Sequence, residues 1–139
     1  MKYLLDTCVV SELMRPNPSP KVMAWFDSVD DEDLYLSTVV LGEIRKGILL
    51  LPDSRRKMIY DQWFKTDIEQ SYIGRTLVYD STAAKCWAKM IAEAESSGHP
   101  RPIMDSLIAA IALAHGMTVA TRNVSDMAYT GVPVVNPFE

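Results

Sequence analysis

The sequence contains no long apolar run and very few cysteine or histidine side chains. Among its 139 residues are only two cysteines and two histidines. Cys8 and Cys86 are far apart and form no CxxC pair, which excludes a zinc ribbon or a dense disulfide framework. No stretch approaches the roughly 20 consecutive apolar residues of a membrane helix. We therefore expect two reduced, packed thiols in a protein without membrane segments.

An N-terminal targeting segment is also missing from the sequence. The first apolar run, residues 3–5, stops at Asp6 and is too short for the core of a signal peptide. We therefore expect a cytoplasmic protein. The length favours a single domain spanning residues 1–139. An apolar content of 48% is enough to build one core for that domain.

The motifs of several large enzyme classes are absent. The sequence has no GxSxG, no P-loop, no GxGxxG and no HExxH. Positive charge is also scarce, because 18 acidic residues outnumber 14 basic ones and the formal net charge is −4. Nucleic-acid-binding proteins usually present a basic face to the phosphates. An extended nucleic-acid interface would therefore need an additional source of positive charge.

The sequence does contain short apolar strands that alternate with longer helices. The predicted strands are residues 3–5, 34–36, 76–79, 118–120 and 132–135. The predicted helices are residues 8–14, 22–29, 38–51, 54–71, 81–96 and 102–115. This alternation is typical of an α/β fold. We predict a parallel sheet of four to five strands covered by helices.

Four carboxylates stand at informative places in this pattern. Asp6 follows the first strand and Asp126 follows the fourth. Ligands of open α/β sheets bind outside the carboxyl ends of the strands, where both acids should lie. Glu43 projects from a mostly apolar helix face, where a carboxylate needs a partner or a cation. Asp105 lies in the first turn of the last helix, beside a core-facing apolar series.

Each of these acids also has an ordinary structural interpretation. Asp6 could cap the next helix, Glu43 could pair with Lys46, Asp105 could complement the helix dipole and Asp126 could be a loop acid. Together the four acids would repel one another, and oxygen ligands of this kind select the hard cations Mg²⁺ or Mn²⁺. Setting the four aside changes the formal net charge from −4 to 0. The candidate phosphate contacts are then Arg15, Lys46, Arg75, Arg101 and Arg122.

Several separated segments together resemble the PIN-domain family, and within it the VapC-type toxins of the FitB-like plasmid-stability group. The matching segments are YLLDT (3–7), VVSELMRP (9–16), LGEIRKGI (41–48), MDSLIAA (104–110), ATRN (120–123), Asp126, TGV (130–132) and NP (136–137). The resemblance runs nearly from end to end. It implies a PIN-like three-layer fold, with helices on both sides of a parallel sheet.

The resemblance implies a metal-dependent endoribonuclease that cleaves single-stranded or loop RNA and leaves a 5′ phosphate. The family's acidic motif positions fall on Asp6, Glu43 and Asp105. The fourth position is matched best by Asp126, although some members carry an acid at the position of Asn123. By this resemblance the four acids are both the catalytic residues and the ligands of Mg²⁺, with Mn²⁺ as a possible substitute.

Two hydroxyls and a set of partners also follow from the resemblance. Thr7 and Thr121 match motif hydroxyls beside the metal site, and Asn123 would support it. The family implies a small VapB-like antitoxin whose tail occludes the active site. It further implies toxin homodimers that form a larger assembly with the antitoxin.

The sequence departs from the family pattern at three positions. Cys8 replaces the usual Asn of the first motif and is a poorer hydrogen-bonding group, which would weaken support of the site without removing a ligand. Met127 and Phe138 stand where an aromatic residue and Trp are common, and we expect both to affect packing only. Cys8 leaves open a second hypothesis, an inactive PIN domain that binds RNA or protein. A phosphatase or receiver domain is a third hypothesis, disfavoured because residues 6–8 lack the second acid of a DxD motif.

Overall fold

A five-stranded parallel sheet forms the centre of the protein in a computed structural model that describes all residues, 1–139. The strands are β1 (Tyr3–Leu5), β2 (Leu34–Ser37), β3 (Thr76–Leu77), β4 (Thr118–Ala120) and β5 (Val134–Val135). Their order across the sheet is β3-β2-β1-β4-β5. In the register, Leu4 of β1 lies opposite Tyr35 of β2 and Val119 of β4. The predicted sheet is confirmed, and β3 and β5 are two residues shorter than predicted.

Six helices flank the sheet. They are α1 (Thr7–Glu12), α2 (Pro20–Ser28), α3 (Thr38–Leu49), α4 (Arg55–Trp63), α5 (Ser81–Ser96) and α6 (Ile103–His115). A π-helical segment, Phe64–Gln70, continues α4, so the predicted helix over 54–71 changes its winding half-way. Helix α2 begins two residues before the predicted start, because Ser19 caps it and Pro20 suits its first turn. The other predicted helices are confirmed to within about two residues at each end.

The core lies on both faces of the central strands. Leu4, Leu5 and Val119 are completely buried, because helices cover β1 and β4 on either side. Helix α6 contributes a continuous buried run over residues 108–112 and packs against α5. Gly116 then ends α6 in a left-handed conformation (φ 65°) that a side chain would strain. None of the helices combines the length and apolar character needed to span a bilayer.

The carboxyl ends of the central strands meet at one edge of the sheet. The Asp6 backbone N–H donates to the carbonyl of Ala120 (3.0 Å), and the Thr121 N–H donates to the carbonyl of Val135 (2.9 Å). These bonds continue the ladder one residue beyond β1 and β4. The residues that follow the strands therefore begin side by side, as expected for a site at this edge.

Candidate active site

Asp6 lies at the carboxyl end of β1, and only 3% of its surface is exposed. One carboxylate oxygen accepts the Thr7 backbone N–H (2.8 Å) and thereby caps α1. The other oxygen accepts the Thr121 hydroxyl (2.7 Å). Burial raises the pKa of Asp6, and these hydrogen bonds oppose the rise. The predicted cap is confirmed, but it occupies only one of the two oxygens.

Glu43 projects from α3 toward the end of β1. Its carboxylate accepts the Thr7 hydroxyl at 2.6 Å. Lys46 forms no ion pair with it, so that interpretation of Glu43 was wrong. Thr7 therefore connects two acids, because its backbone N–H binds Asp6 and its hydroxyl binds Glu43. The strand end and α3 are fixed relative to each other by this one residue.

Asp105 and Asp126 approach the same place from two other elements. Asp105 lies in the first turn of α6, and Asp126 lies in a short 3-10 turn, Val124–Met127, after β4. The carboxylate of Asp105 accepts no hydrogen bond, and neither acid forms an ion pair. The pKa of Asp105 is raised to about 6, first by burial and then by the negative charges of Asp6, Asp126 and Glu43. All four predicted acids thus belong to one electrostatic group.

This group suits a hydrated divalent cation. It offers only oxygen ligands, which Mg²⁺ and Mn²⁺ prefer. No three of the carboxylates converge closely enough to ligate one ion directly. That spacing is compatible with Mg²⁺, which keeps several waters and binds through one or two carboxylates. The half-buried Asp105 is the strongest sign of fit, because its carboxylate has no hydrogen-bond donor and faces three like charges.

Thr121 links the sheet to the loop that carries Asp126. It is completely buried, and its hydroxyl donates to Asp6 while accepting the Asn123 backbone N–H (2.9 Å). The Asn123 side chain is exposed and points to no partner, whereas the charge of Asp126 raises the pKa of Asp105. The structure therefore brings Asp126 into the acidic group, and Asn123 contributes its backbone.

Cys8 packs against Asp6 at the position where the family pattern has Asn. Its sulfur accepts the Arg122 backbone N–H at 3.4 Å and lies 3.7 Å from the Thr121 hydroxyl and 3.8 Å from Asp6 Oδ2. Contacts of sulfur at these distances are weak. Burial raises the pKa of the thiol, so Cys8 is protonated at neutral pH. Since Thr7 and Thr121 already bind Asp6, the replacement leaves this acid in place.

The arginines predicted as phosphate contacts differ in how far they are already engaged. Arg75 donates to three backbone carbonyls, so its interpretation as a phosphate contact was wrong. Arg101 donates to the carbonyl of Ser125, in the turn that carries Asp126 (3.0 Å). Arg122 is exposed, and its guanidinium stacks on the Phe138 ring at 3.7 Å and donates no hydrogen bond.

A groove of about 470 Å³ opens beside the acids, between α1, α3 and α4. Thr7 and Glu43 line it, together with Arg15, Arg56 and Tyr60. The Arg56 guanidinium donates to the Tyr60 hydroxyl (3.1 Å), and nearly half of the lining residues are apolar. The groove therefore joins part of the acidic group to an apolar and basic surface.

Glu12 is a buried carboxylate that the sequence interpretation did not single out. It is 4% exposed, accepts the Ser19 backbone N–H (2.8 Å) and pairs with Arg15 (3.2 Å). The Ser19 N–H is the main cause of its lowered pKa. Glu12 lies three residues after the buried Val9, on the same helix face, and this spacing could have identified it. It holds the proline-rich segment 13–19 against α1.

Comparison with known proteins gives consistent matches. The PIN domain family model matches residues 3–127. The chain is 37% identical to "VapC ribonuclease Y4jK" of Sinorhizobium fredii over 98% of this chain and 97% of that protein. It is also 37% identical to "Toxin FitB" of Neisseria gonorrhoeae, over 97% of both chains. The crystal structure of FitAcB from Neisseria gonorrhoeae superposes with a TM-score of 0.94 at 36% identity, covering 99% of each chain.

Proposed function

The chain belongs to the PIN-domain family, and on that premise we propose that it is a Mg²⁺-dependent endoribonuclease, the toxin of a toxin–antitoxin pair. Full-length relatives that carry the names of a ribonuclease and a toxin support this proposal. Family membership also removes the phosphatase and receiver hypotheses. We propose that residues 1–139 act as one PIN domain, and the cytoplasmic location stays a prediction.

The observation that carries the proposal is the set of four acids at the strand ends. Asp6, Glu43, Asp105 and Asp126 come from four different elements, and three of them act on the pKa of Asp105. We propose that these four residues hold the metal and that Asp126, rather than Asn123, is the fourth. Structural acids are normally paired or fully solvated. Asp105 is neither.

The residues around the acids have distinct tasks in this mechanism. A bound divalent cation would polarise the scissile phosphate and lower the pKa of an attacking water. Thr7 fixes the direction of Glu43 and the start of α1, and Thr121 fixes Asp6. Asp105, without a donor of its own, is free to turn toward a ligand. We propose that water displaces the 3′ oxygen in line and leaves a 5′ phosphate.

Cleavage of a mixed RNA pool tests this function. Wild-type protein is compared with Asp105→Asn, with Mg²⁺ and with chelator. Asp27→Asn serves as a matched control, because Asp27 is an exposed acid on α2 outside the site. We expect Asp105→Asn to lose at least about a hundredfold in rate, as expected when a metal ligand is removed.

Two results decide between active and inactive PIN domains. Cleavage that needs Mg²⁺, survives Asp27→Asn and disappears in Asp105→Asn would support the nuclease. Absence of cleavage from folded, antitoxin-free wild type would favour the binding module instead. In that case Cys8→Asn is the next variant, because Cys8 is the one departure in contact with Asp6.

We also propose a VapB-like antitoxin as the partner, with toxin homodimers in a larger assembly and no role for a membrane. Support comes from the similar solved structures, which are a FitAB complex on DNA and the FitAcB complex. The groove lined by Glu43 and Arg56 offers a path for a peptide tail that ends over the acids. Co-expression of a cognate VapB-like antitoxin should suppress RNA cleavage, and Arg56→Glu should weaken that suppression.

A further inference from the structure

We propose that Arg122, held by the C-terminal Phe138, binds an RNA phosphate at the edge of the acidic site. This inference rests on the proposed function, since it assigns a substrate contact to the same site. The two residues are called the Arg122–Phe138 clamp below. The proposal makes the last residues of the chain part of the RNA-binding surface.

The position of Arg122 follows from the sheet. It comes two residues after β4, between Thr121, which binds Asp6, and Asn123, whose N–H binds Thr121. Its own backbone N–H donates to Cys8, which lies against Asp6. The backbone of Arg122 is thus fixed beside Thr121, the neighbouring residue in sequence, which binds Asp6 of the acidic group. Its side chain starts at the mouth of the site.

The guanidinium of Arg122 is one of the unpaired cations near the acids; exposed Lys46, which lines a pocket with Glu43, is another. No carboxylate lies within ion-pair distance of Arg122 and its guanidinium donates no hydrogen bond, although its charge helps to lower the pKa of nearby Glu12. Arg75 and Arg101 instead donate to backbone carbonyls. An arginine with a free fork of N–H donors is suited to bidentate phosphate binding.

Phe138 restricts where that guanidinium can be. The ring centroid lies 3.7 Å from the guanidinium carbon, which is stacking distance. Strand β5 pairs with β4 in parallel, with Ala120 opposite Val135, so the chain after β5 runs beside the residues after β4. A turn fixes the ring, because Asn136 Oδ1 accepts the Phe138 N–H at 3.0 Å. The earlier expectation that Phe138 affects packing only was therefore incomplete.

A pre-oriented arginine also offsets, at the site, the repulsion between RNA and this negatively charged chain. With a formal net charge of −4, the surface as a whole does not attract RNA. Four acids at the site add to the repulsion of phosphate until a metal is bound. A stacked arginine loses little side-chain freedom when it binds a phosphate. Phe138 is accordingly a positioning residue, and Arg122 is the residue that touches the RNA.

Salt-dependent RNA binding tests the clamp separately from catalysis. Binding of a short fluorescein-labelled single-stranded RNA is measured by anisotropy in the Asp105→Asn background, with Mg²⁺ omitted so that the RNA stays intact. Arg122→Gln, Phe138→Leu and Phe138→Trp are compared at increasing salt. Lys85→Gln removes one exposed charge from α5, outside the site, and is the control for net charge.

We expect Arg122→Gln to lower affinity about five- to tenfold and to reduce the slope of log K against log salt by about 0.7, the value for one phosphate on a single strand. Phe138→Leu should lower affinity by a smaller factor, whereas Phe138→Trp should keep it, since Trp also stacks on guanidinium. Lys85→Gln should leave the slope unchanged.

An unchanged slope in Arg122→Gln, or a change equal to that of Lys85→Gln, would overturn the phosphate contact. Equal losses in Phe138→Leu and Phe138→Trp would overturn the positioning role, because a stacking ring would then be irrelevant. No measurable RNA binding in the background would overturn both. Failure of wild type to cleave RNA would refute the nuclease, while the slope difference would still decide the clamp.

Discussion

The two halves of the acidic site are built in opposite ways. Asp6 and Glu43, the held pair, accept hydrogen bonds from Thr7 and Thr121. Asp105 and Asp126, the bare pair, form no ion pair, and Asp105 accepts no hydrogen bond. The held pair is therefore positioned before any ligand arrives. The bare pair carries the repulsion that a cation would relieve.

Removing a donor from the held pair should have the largest effect on stability. Thr121→Val keeps the shape of the side chain but leaves Asp6 Oδ2 with only the weak contact to Cys8, and it leaves the Asn123 N–H without an acceptor. We expect the free energy of unfolding to fall by about 1–3 kcal/mol, the cost of unsatisfied buried groups. Urea denaturation measures it.

Thr7→Val is the matched comparison for that experiment, because Thr7 is only half-buried and its backbone donor to Asp6 survives. Its loss of stability should be smaller than that of Thr121→Val, since water can replace the missing hydroxyl at Glu43. A larger loss in Thr7→Val would contradict the assignment of Thr121 as the main support of the held pair.

The bare pair should respond in the opposite direction when no metal is present. The pKa of Asp105 is raised from 3.8 to about 6, so the unfolded chain releases this proton at a lower pH than the folded protein does. Stability from this group is complete below pH 3.8 and is lost as the pH rises through about 6. Asp105→Asn should therefore stabilise chelator-treated protein at pH 7.5 by roughly 1 kcal/mol, a value discounted for solvent screening.

Thermal unfolding at two pH values measures that effect. The gain should shrink at low pH, where Asp105 is protonated in the wild type, and Asp27→Asn should show no comparable change. Destabilisation by Asp105→Asn at pH 7.5 in chelator would contradict the view that the bare pair is strained.

The smallest effect is expected where the held pair has its weakest contact. Cys8→Asn replaces sulfur contacts of 3.7–3.8 Å with an amide that can donate to Asp6. We expect a gain in unfolding free energy of about 0.5–1 kcal/mol, that of one ordinary hydrogen bond. Parallel urea titrations of wild type and variant would show it, and a clear loss would mean that the amide does not fit beside Thr121.

The fold was predictable because its signals are local. Short apolar runs separated by helical periods predicted β1, β2 and β4, and their parallel order placed Asp6 and Asp126 at one edge. Caps such as Ser37 and Asp80 set helix starts within a residue or two. The π-helical winding of Phe64–Gln70 has no local signal of this kind.

The parts of the site that escaped prediction depend on long-range pairing. Thr7 binds Glu43 across 36 residues of sequence, and no spacing rule relates a hydroxyl at the start of α1 to a carboxylate on α3. The same holds for the stacking of Arg122 on Phe138, which exists only because β5 lies beside β4. The bare state of Asp105 was also invisible, since the absence of a partner is a property of the assembled site.

The contacts of Glu12 with Ser19 and Arg15 affect how fast a bound partner would dissociate. By binding the Ser19 N–H and Arg15, it orders the proline-rich segment 13–19, and Arg15 and Pro16 of that segment line the groove beside Glu43. A wall that is already rigid loses little conformational entropy on association. The smaller entropy cost makes the complex more stable, and differences in stability between related complexes lie mainly in the dissociation rate. An inhibitor bound in this groove would therefore dissociate slowly even if its association rate were ordinary.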